Sequence, residues 1–240
     1  MPAHKEERNR FALSRWRRRY IAESCRTGAT HALKPLPFDP AVLEPGIDAN
    51  ALRLHHSSHH AAYVAALNEL LKDYPALQSM KVDELLRQPT AIPEAVRDAV
   101  RFNAGGHANH LLLWDLIVPG GAASPRDGLA DAIDTSFGSL AAFQERFVEA
   151  GATHFGSGWV WLVKDRDGRL EIMTTGNNDS PLAVGKVPLI VNDLWEHAYY
   201  LQFRNRVEEY LEAFWPILNW DKVEMRFYHP PLNVSGHGAR

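Results

Sequence analysis

The chain has 240 residues, 45% of them hydrophobic and 23% charged, which is the composition of a globular protein with one large or two small domains. Its single cysteine, Cys25, excludes an internal disulfide framework, a thiolate zinc site and an iron–sulfur cluster within one chain. No apolar run approaches the roughly eighteen residues of a membrane-spanning helix, so we expect no membrane partner. Any resident metal must be held by carboxylates and by some of the 12 histidines.

The net charge of −3 is unevenly divided along the chain. Residues 1–30 hold eight basic and three acidic residues, a charge of +5, which leaves −3 − 5 = −8 for residues 31–240. An acidic body argues against nucleic acid as a partner. We interpret residues 1–30 as a basic, disordered extension that lacks the apolar stretch of a secretory signal. This predicts a cytoplasmic, bacterial protein, with the mitochondrial matrix as the alternative if the extension is an arginine-rich presequence.

The first predicted elements are two long helices. Asp48 is a suitable N-cap for a helix that runs through a cluster of histidines toward Tyr74. Leu52, His55, His59, Ala62 and Ala66 fall on one face of it at helical spacing. A second helical pattern starts near Pro93 and ends at about Val118. We therefore predict an N-terminal antiparallel helical hairpin over residues 31–118.

The second half of the chain has a different texture. Short helical patterns occupy residues 128–150, with Ser139 as a predicted cap. Three segments are typical of strands, namely 159–163, 170–175 and 187–191, and Asp167-Gly168 predicts a turn between the first two. A last helix is predicted over 194–215. The predicted fold is α+β, in which the hairpin precedes an α+β domain (residues 119–228) with a small antiparallel sheet, followed by a C-terminal tail at 229–240.

Histidines and one aspartate recur at helical spacing. His55 and His59 share a helix face, and we expect His56 and His60 to point away from any shared site. His107 and His110 are three apart on the second helix, and Asp193 and His197 are four apart near the last helix. Imidazole and carboxylate suit iron, manganese and zinc, although each pair alone is equally typical of a solvated helix face.

Several motifs occur together in a distinctive order. They are Leu43-Glu44-Pro45, the run His55 to His60 with Tyr63, Gly105-Gly106-His107-Ala108-Asn109-His110 with Trp114, Phe155-Gly156-Ser157-Gly158-Trp159-Val160-Trp161-Leu162, Asp193-Leu194-Trp195-Glu196-His197-Ala198-Tyr199-Tyr200, and Asn219-Trp220. In this order and spacing the chain closely resembles the iron/manganese superoxide dismutase family over about residues 31–228.

The resemblance implies roles for particular residues. The matching metal ligands are His55, His110, Asp193 and His197, with a bound water or hydroxide in a fifth place. Tyr63 and His59 match the pair at the substrate entrance. Glu196 and Tyr200 match residues that reach across a two-fold interface toward the partner's site. Trp114, Trp159 and Trp195 match the aromatic residues around the metal.

The same resemblance implies the activity. Two superoxide anions would be converted to dioxygen and hydrogen peroxide by one redox-cycling ion per subunit, as an antioxidant defence. Zinc cannot cycle in this way. The resemblance implies manganese, with iron or either metal as the alternative. A homodimer is expected, and a tetramer is the alternative.

Three departures from the family pattern concern the site and its entrance. Manganese members usually carry glutamine where Asn178 stands, and iron members supply a glutamine from the position of Gly106. We thus expect Asn178 beside the metal-bound solvent, with a side chain that is one methylene shorter than the usual glutamine. Ser58 and Val207 replace a lysine and an arginine that often flank the entrance, which predicts weaker steering of an anionic substrate. Gly46, Leu111 and Leu113 also depart from the usual residues and are interpreted as packing changes.

Two other functional classes were weighed. A relative that keeps the fold without catalysis would be expected to lose ligands, whereas all four ligand positions are present. A metal-dependent hydrolase would need a polar cleft of substrate size, whereas aromatic residues surround this constellation.

Overall fold

A computed structural model of the chain describes residues 31–229. The predictions for the basic extension and for residues 230–240 lie outside the described residues. Within the described part, no helix is both long enough and apolar enough to cross a bilayer.

The N-terminal half is the predicted helical hairpin. Its first arm is continuous and consists of α1 (Ala49–Leu54), a π-helical segment (His55–His60) and α2 (Ala61–Leu71). The carboxylate of Asp48 caps it by accepting hydrogen bonds from the backbone N–H groups of Asn50 and Ala51. Short helices α3 (Pro75–Gln78) and α4 (Val82–Arg87) lead to the second arm, α5 (Glu94–Leu116), which packs against α2.

The π-helical segment changes which face of the first arm is buried. The prediction that Ala62 and Ala66 continue the face of His55 is wrong, because Ala62 is exposed. From the end of the segment onward the buried side chains are those of His60, Ala61, Val64, Leu67 and Leu71, all 0% exposed. An i→i+5 turn holds one extra residue, so every later side chain is rotated relative to a regular helix.

The C-terminal half is the predicted α+β unit. Helices α6 (Asp127–Phe137) and α7 (Leu140–Ala152) precede the sheet, and the Ser139 hydroxyl caps α7 by accepting from the Ala142 N–H. The strands are β1 (Gly158–Lys164), β2 (Leu170–Gly176) and β3 (Val187–Asp193), in the antiparallel order β2-β1-β3. The turn between β1 and β2 contains Gly168 at φ 84°, a backbone conformation that favours glycine.

The last predicted helix is interrupted. The structure has α8 (Glu196–Phe203), α9 (Val207–Ala213) and α10 (Trp220–Tyr228) instead of one helix over 194–215. Arg204 takes φ 58°, and its guanidinium donates to the Tyr200 and Leu201 carbonyls at 2.9 Å, which caps the end of α8. Strand β3 also runs two residues beyond the prediction, so Asp193 ends a strand and lies outside the helix.

Two hydrophobic cores meet at α5. The core around the sheet includes Trp159 and Trp161, both fully buried, and takes Leu116 from the C-terminal part of α5. The hairpin has its own core, to which α5 contributes Val100 and Ala104. Because α5 also packs against β3, the histidines of the hairpin face the end of that strand. This junction of the two halves positions the site.

Candidate metal centre

Four side chains from four elements converge at the junction. They are His55 from the π-helical segment, His110 from α5, Asp193 from the end of β3 and His197 from α8. One ligand atom from each lies within 4.8 Å of the others. The Asp193 Oδ2 atom lies 3.0 Å from His55 Nε2, 3.3 Å from His197 Nε2 and 3.7 Å from His110 Nε2. The two hairpin histidines have their Nε2 atoms 3.0 Å apart.

These separations fit ligands around one ion. Donor atoms about 2.1 Å from a shared ion and about 90–120° apart are separated by about 3.0–3.6 Å. The Nε2 atom of His197 is buried and has no hydrogen-bond partner among residues 31–229, as expected of a donor whose partner is a metal. Three imidazoles and one carboxylate suit a single manganese or iron ion.

Burial sets the charge of the site. It lowers the pKa of His55, an effect opposed by the hydrogen bond that the Asp193 carboxylate accepts from His55, and it holds the pKa of His110 well below the ordinary value. Burial alone would raise the pKa of Asp193, but the close imidazoles of His197 and His55 outweigh it and hold that pKa below the usual range. Neutral His55 and His110 therefore face an ionised carboxylate, which is the protonation that metal binding requires.

Backbone groups orient two of the ligand side chains. The His110 Nδ1–H donates to the Gly106 carbonyl at 2.6 Å, so the Nε2 lone pair is left to face the other donors. Oδ1 of Asp193 accepts the Trp195 backbone N–H at 2.8 Å, which turns Oδ2 toward the histidines. Hydrogen bonds with the backbone thus set the orientation of the His110 and Asp193 side chains.

His59 and Tyr63 lie at the partly exposed side of the cluster. The His59 ring stacks on that of His197, with centroids 4.0 Å and planes 9° apart. Burial, with the neighbouring His197 and His55, lowers the pKa of His59 to about 4. The Tyr63 ring lies 5.5 Å from the His110 ring and 5.8 Å from that of Phe102. Both side chains are partly exposed and each lies beside the ring of a candidate ligand.

Asn178 lies in the loop after β2 and is 1% exposed. Its Oδ1 accepts the Trp159 indole N–H at 3.4 Å, while its Nδ2 has no partner within hydrogen-bond distance among the described residues. Burial raises the pKa of Tyr63, and the approach of the Asn178 amide only partly offsets this rise.

A pair of glycines on α5 lets this loop and Tyr63 approach the helix. A Cβ atom at Gly105 would lie 1.9 Å from the Asn178 carbonyl oxygen, and one at Gly106 would lie 2.6 Å from the Tyr63 ring. A side chain at either position would displace the group it meets. Glycine at both positions thus keeps Asn178 and Tyr63 close to the ligands.

Aromatic rings enclose the four ligands. Trp114 lies 4.9 Å from His55, Trp159 lies 5.0 Å from His110, and Trp195 stacks at 5.7 Å on His197, as ring-centroid distances. By contrast, Glu196 is exposed and Tyr200 is 48% exposed, so neither is enclosed by its own chain.

His60 is not one of the four clustered donors, but its ring stacks on that of His110. His60 is fully buried, and its Nε2 lies 2.8 Å from Nδ1 of His107. Trp114 donates its indole N–H to His60 Nδ1 at 3.0 Å. The spacing of His107 three residues before His110 was the available signal, because it places both on the same side of α5. His56 does turn elsewhere, toward the Lys34 carbonyl at 2.8 Å.

The fold and the site define a mononuclear metalloprotein whose ion would be held by three histidines and one aspartate. Residues 30–118 match the family model of the iron/manganese superoxide dismutase alpha-hairpin domain, and residues 125–226 match that of the C-terminal domain. The chain belongs to the iron/manganese superoxide dismutase family. Members of this family are metal-dependent oxidoreductases, and this chain is one of them.

Curated relatives agree with this assignment. The chain is 49% identical to "Superoxide dismutase [Mn] 1" of Leptolyngbya boryana, over 81% of this chain and 79% of the relative. It is 48% identical to "Superoxide dismutase [Mn]" of Thermus aquaticus, over 80% and 94% of the two chains. It is 46% identical to "Superoxide dismutase [Mn]" of Listeria monocytogenes, over 82% and 98%.

Proposed function

We propose that the chain converts two superoxide anions to dioxygen and hydrogen peroxide at the cluster of His55, His110, Asp193 and His197. The observation that carries the proposal is the convergence of these four donors, three of them buried, at the junction of the two halves. The chemistry that a bound manganese or iron ion supplies is a one-electron change between the +2 and +3 states. Zinc lacks that change.

The surrounding residues restrict what can react. Neutral imidazoles and a single carboxylate give the ligand set a charge of −1, low enough to admit an anion to a trivalent or divalent ion. Tyr63 and His59 stand at the entrance, and the rings of Trp114, Trp159 and Trp195 leave room only for a very small substrate. Asn178 and Tyr63 form the polar edge of this otherwise aromatic enclosure.

We propose manganese as the working metal, with iron as the alternative. The manganese-named relatives support this choice. Gly106 supports it as well, because a glutamine there would first have to displace the Tyr63 ring that lies 2.6 Å from its Cβ position. Asn178 argues against a strict preference for manganese. Its side chain is one methylene shorter than glutamine, so its amide would make a weaker contact with the metal-bound solvent.

We propose that the working assembly is a homodimer, or a tetramer built from it. His110 has the Gly106 carbonyl as a partner for its second ring nitrogen, whereas His197, at 11% side-chain exposure, has none within residues 31–229. The exposed Glu196 carboxylate of a two-fold partner would supply that acceptor. Fully exposed Phe155 and the exposed Leu201 would be covered by such an interface.

We propose a cytoplasmic location in a bacterial cell, in keeping with the bacterial relatives. The mitochondrial matrix is the alternative if residues 1–30 act as a presequence. Fractionation of cells that express the full-length chain, followed by N-terminal sequencing, distinguishes the two.

An assay of superoxide consumption on protein loaded separately with manganese, iron and zinc tests the activity. We expect turnover with manganese, with iron or with both, none with zinc, and about one ion per chain by metal analysis. Stoichiometric binding without turnover in any form would overturn the proposal.

A further inference from the structure

Behind the metal centre, the residue before Asp193 makes a buried hydrogen-bond junction. Asn192 is 1% exposed and lies on β3, opposite Val160 of β1. Its Oδ1 atom accepts the Tyr210 hydroxyl at 2.7 Å and the Asp193 backbone N–H at 2.9 Å. One oxygen thus joins helix α9 to the backbone of a metal-site residue.

Packing alone does not account for an asparagine at this position. Its Nδ2 atom is buried without a hydrogen-bond partner in the described part of the chain, and such a donor destabilises a folded protein. An apolar side chain of the same size would avoid that cost. The side-chain oxygen is the atom of Asn192 that makes hydrogen bonds, and its two donors are the Tyr210 hydroxyl and the Asp193 backbone N–H.

Tyr210 is suited to hold this acceptor in place. It is 5% exposed, and its ring packs between those of Tyr199 and Phe203 at 5.4 and 5.7 Å. Its hydroxyl carries a single proton, which it donates to the Asn192 Oδ1 atom. The Tyr210 hydroxyl therefore fixes the direction of the Asn192 amide.

We propose that Asn192 and Tyr210 are positioning residues that set the orientation of the Asp193 carboxylate. The backbone N–H of Asp193 is held by Asn192, and its Oδ1 by the Trp195 N–H, so only Oδ2 is left to face the histidines. Removing the Tyr210 hydroxyl frees the Asn192 amide to rotate, and the carboxylate loses one of its two constraints. The inference rests on the proposed function only in taking Asp193 as a metal ligand.

The Tyr210→Phe variant of the manganese-loaded full chain tests this role, because it removes one hydroxyl and keeps the ring. We expect manganese to be released into excess chelator about tenfold faster than from the wild type, the lower end of the range found for outer partners of metal ligands. We also expect a shift of the Mn(III) visible absorption band, which a loss of packing alone would not produce. Tyr199→Phe is the matched control, since it removes a hydroxyl from the neighbouring ring and should change neither readout.

Asn192→Leu provides a second route if Tyr210→Phe is poorly folded. It removes the acceptor together with the unpartnered Nδ2 and should release manganese faster, and in combination with Tyr210→Phe it leaves no tyrosine hydroxyl buried without an acceptor. The double variant should release it no faster than Asn192→Leu alone, because the two residues act through one oxygen. Wild-type release and an unchanged absorption band in both single variants would overturn the inference. A wild type that retains manganese but shows no dismutase activity would overturn the proposed function and leave this test intact.

Discussion

The imidazole of His60 lies parallel to that of His110, with the ring centroids 5.0 Å apart and the planes 9° apart. The Trp114 indole can only donate, so His60 accepts at Nδ1, carries its proton on Nε2 and donates to Nδ1 of His107. These bonds fix the tautomer of His60. Two neutral, hydrogen-bonded imidazoles, those of His60 and His107, therefore pack beside the metal centre.

The neutral state of these buried imidazoles predicts that the free energy of unfolding decreases in acid. Burial, aided by the nearby His31 and Lys34, lowers the pKa of His107 from 6.5 to about 3. In the unfolded chain His107 takes up a proton near pH 6.5, whereas in the folded chain it stays neutral. Its contribution to stability is therefore complete above pH 6.5 and declines by up to about 1.4 kcal/mol per unit as the pH falls toward 3.

Urea unfolding of the wild type and of His107→Asn, at about pH 7.5 and about pH 5, measures this decline. Asparagine keeps an acceptor near the position of Nδ1 and cannot titrate. We expect a smaller loss of unfolding free energy on acidification in the variant. Equal losses in the two proteins would show that His107 is already protonated in the folded state.

Replacement of His110 by alanine should abolish metal retention. His110 is fully buried and its Nε2 lies 3.0 Å from that of His55, so no other side chain or solvent path can take its place without rearrangement. Metal analysis after gel filtration in chelator should give well under one tenth of the wild-type content. His229→Ala, at an exposed histidine after α10, should retain the wild-type content.

Glu196→Ala should weaken assembly and metal binding together. If the partner's His197 donates a hydrogen bond to this carboxylate, the substitution removes a hydrogen bond across the interface. It also leaves the tautomer of a metal ligand unfixed. We expect sedimentation to show dissociation at protein concentrations where the wild type stays dimeric, together with faster metal release. Glu208→Ala, which removes an exposed glutamate from α9, is the control. A wild type that sediments as a fully active monomer would contradict the assembly.

Asn178→Gln should sharpen the preference for manganese. In the wild type the amide nitrogen of Asn178 has no hydrogen-bond partner among the described residues. The added methylene of glutamine brings this nitrogen closer to Tyr63 and to the four ligands. The wild type should therefore accept both iron and manganese with activity, and the variant should lose a greater share of its iron activity. Activity and reduction potential of both metal forms measure the change. A wild type that is strictly manganese-specific, with no response to the substitution, would contradict the role given to Asn178.

A positive charge at the entrance should restore steering. Ser58 precedes His59 and supplies no charge, so the wild-type rate should fall only weakly with added salt. Ser58→Lys should raise the rate about two- to fivefold at low ionic strength and steepen its decline with salt. Ser124→Lys, with the same charge in the turn between α5 and α6, should do neither.

Much of the fold could be predicted because its signals are local. The cap at Asp48 and the alternation in the strands are properties of adjacent residues, and the structure has those elements. The break at Arg204 could not be predicted, because the left-handed residue is an arginine and the flanking periodicity continues across it. The π-helical segment has no signature in a regular helical pattern, so the prediction for Ala62 failed and the burial of His60 was not predicted.

The candidate site was predictable only through motif order. The pairs at His55, His110 and Asp193 come from distant parts of the chain, and helical spacing alone did not distinguish them from solvated pairs. The Asn192 junction could not be predicted, because its partner Tyr210 lies on a different element and nothing in the local sequence indicates a shared acceptor.

The ligand set also makes the ion a long-range cross-link. His55 and Asp193 are 138 residues apart in the chain, so an ion that binds both closes most of the described protein into one loop. A cross-link that closes a long loop restricts the unfolded chain more than a short one does. The hairpin and the sheet cannot then separate without breaking coordination. Opening of the whole protein is thereby tied to loss of coordination, so the metal-loaded chain should unfold more slowly than the metal-free chain.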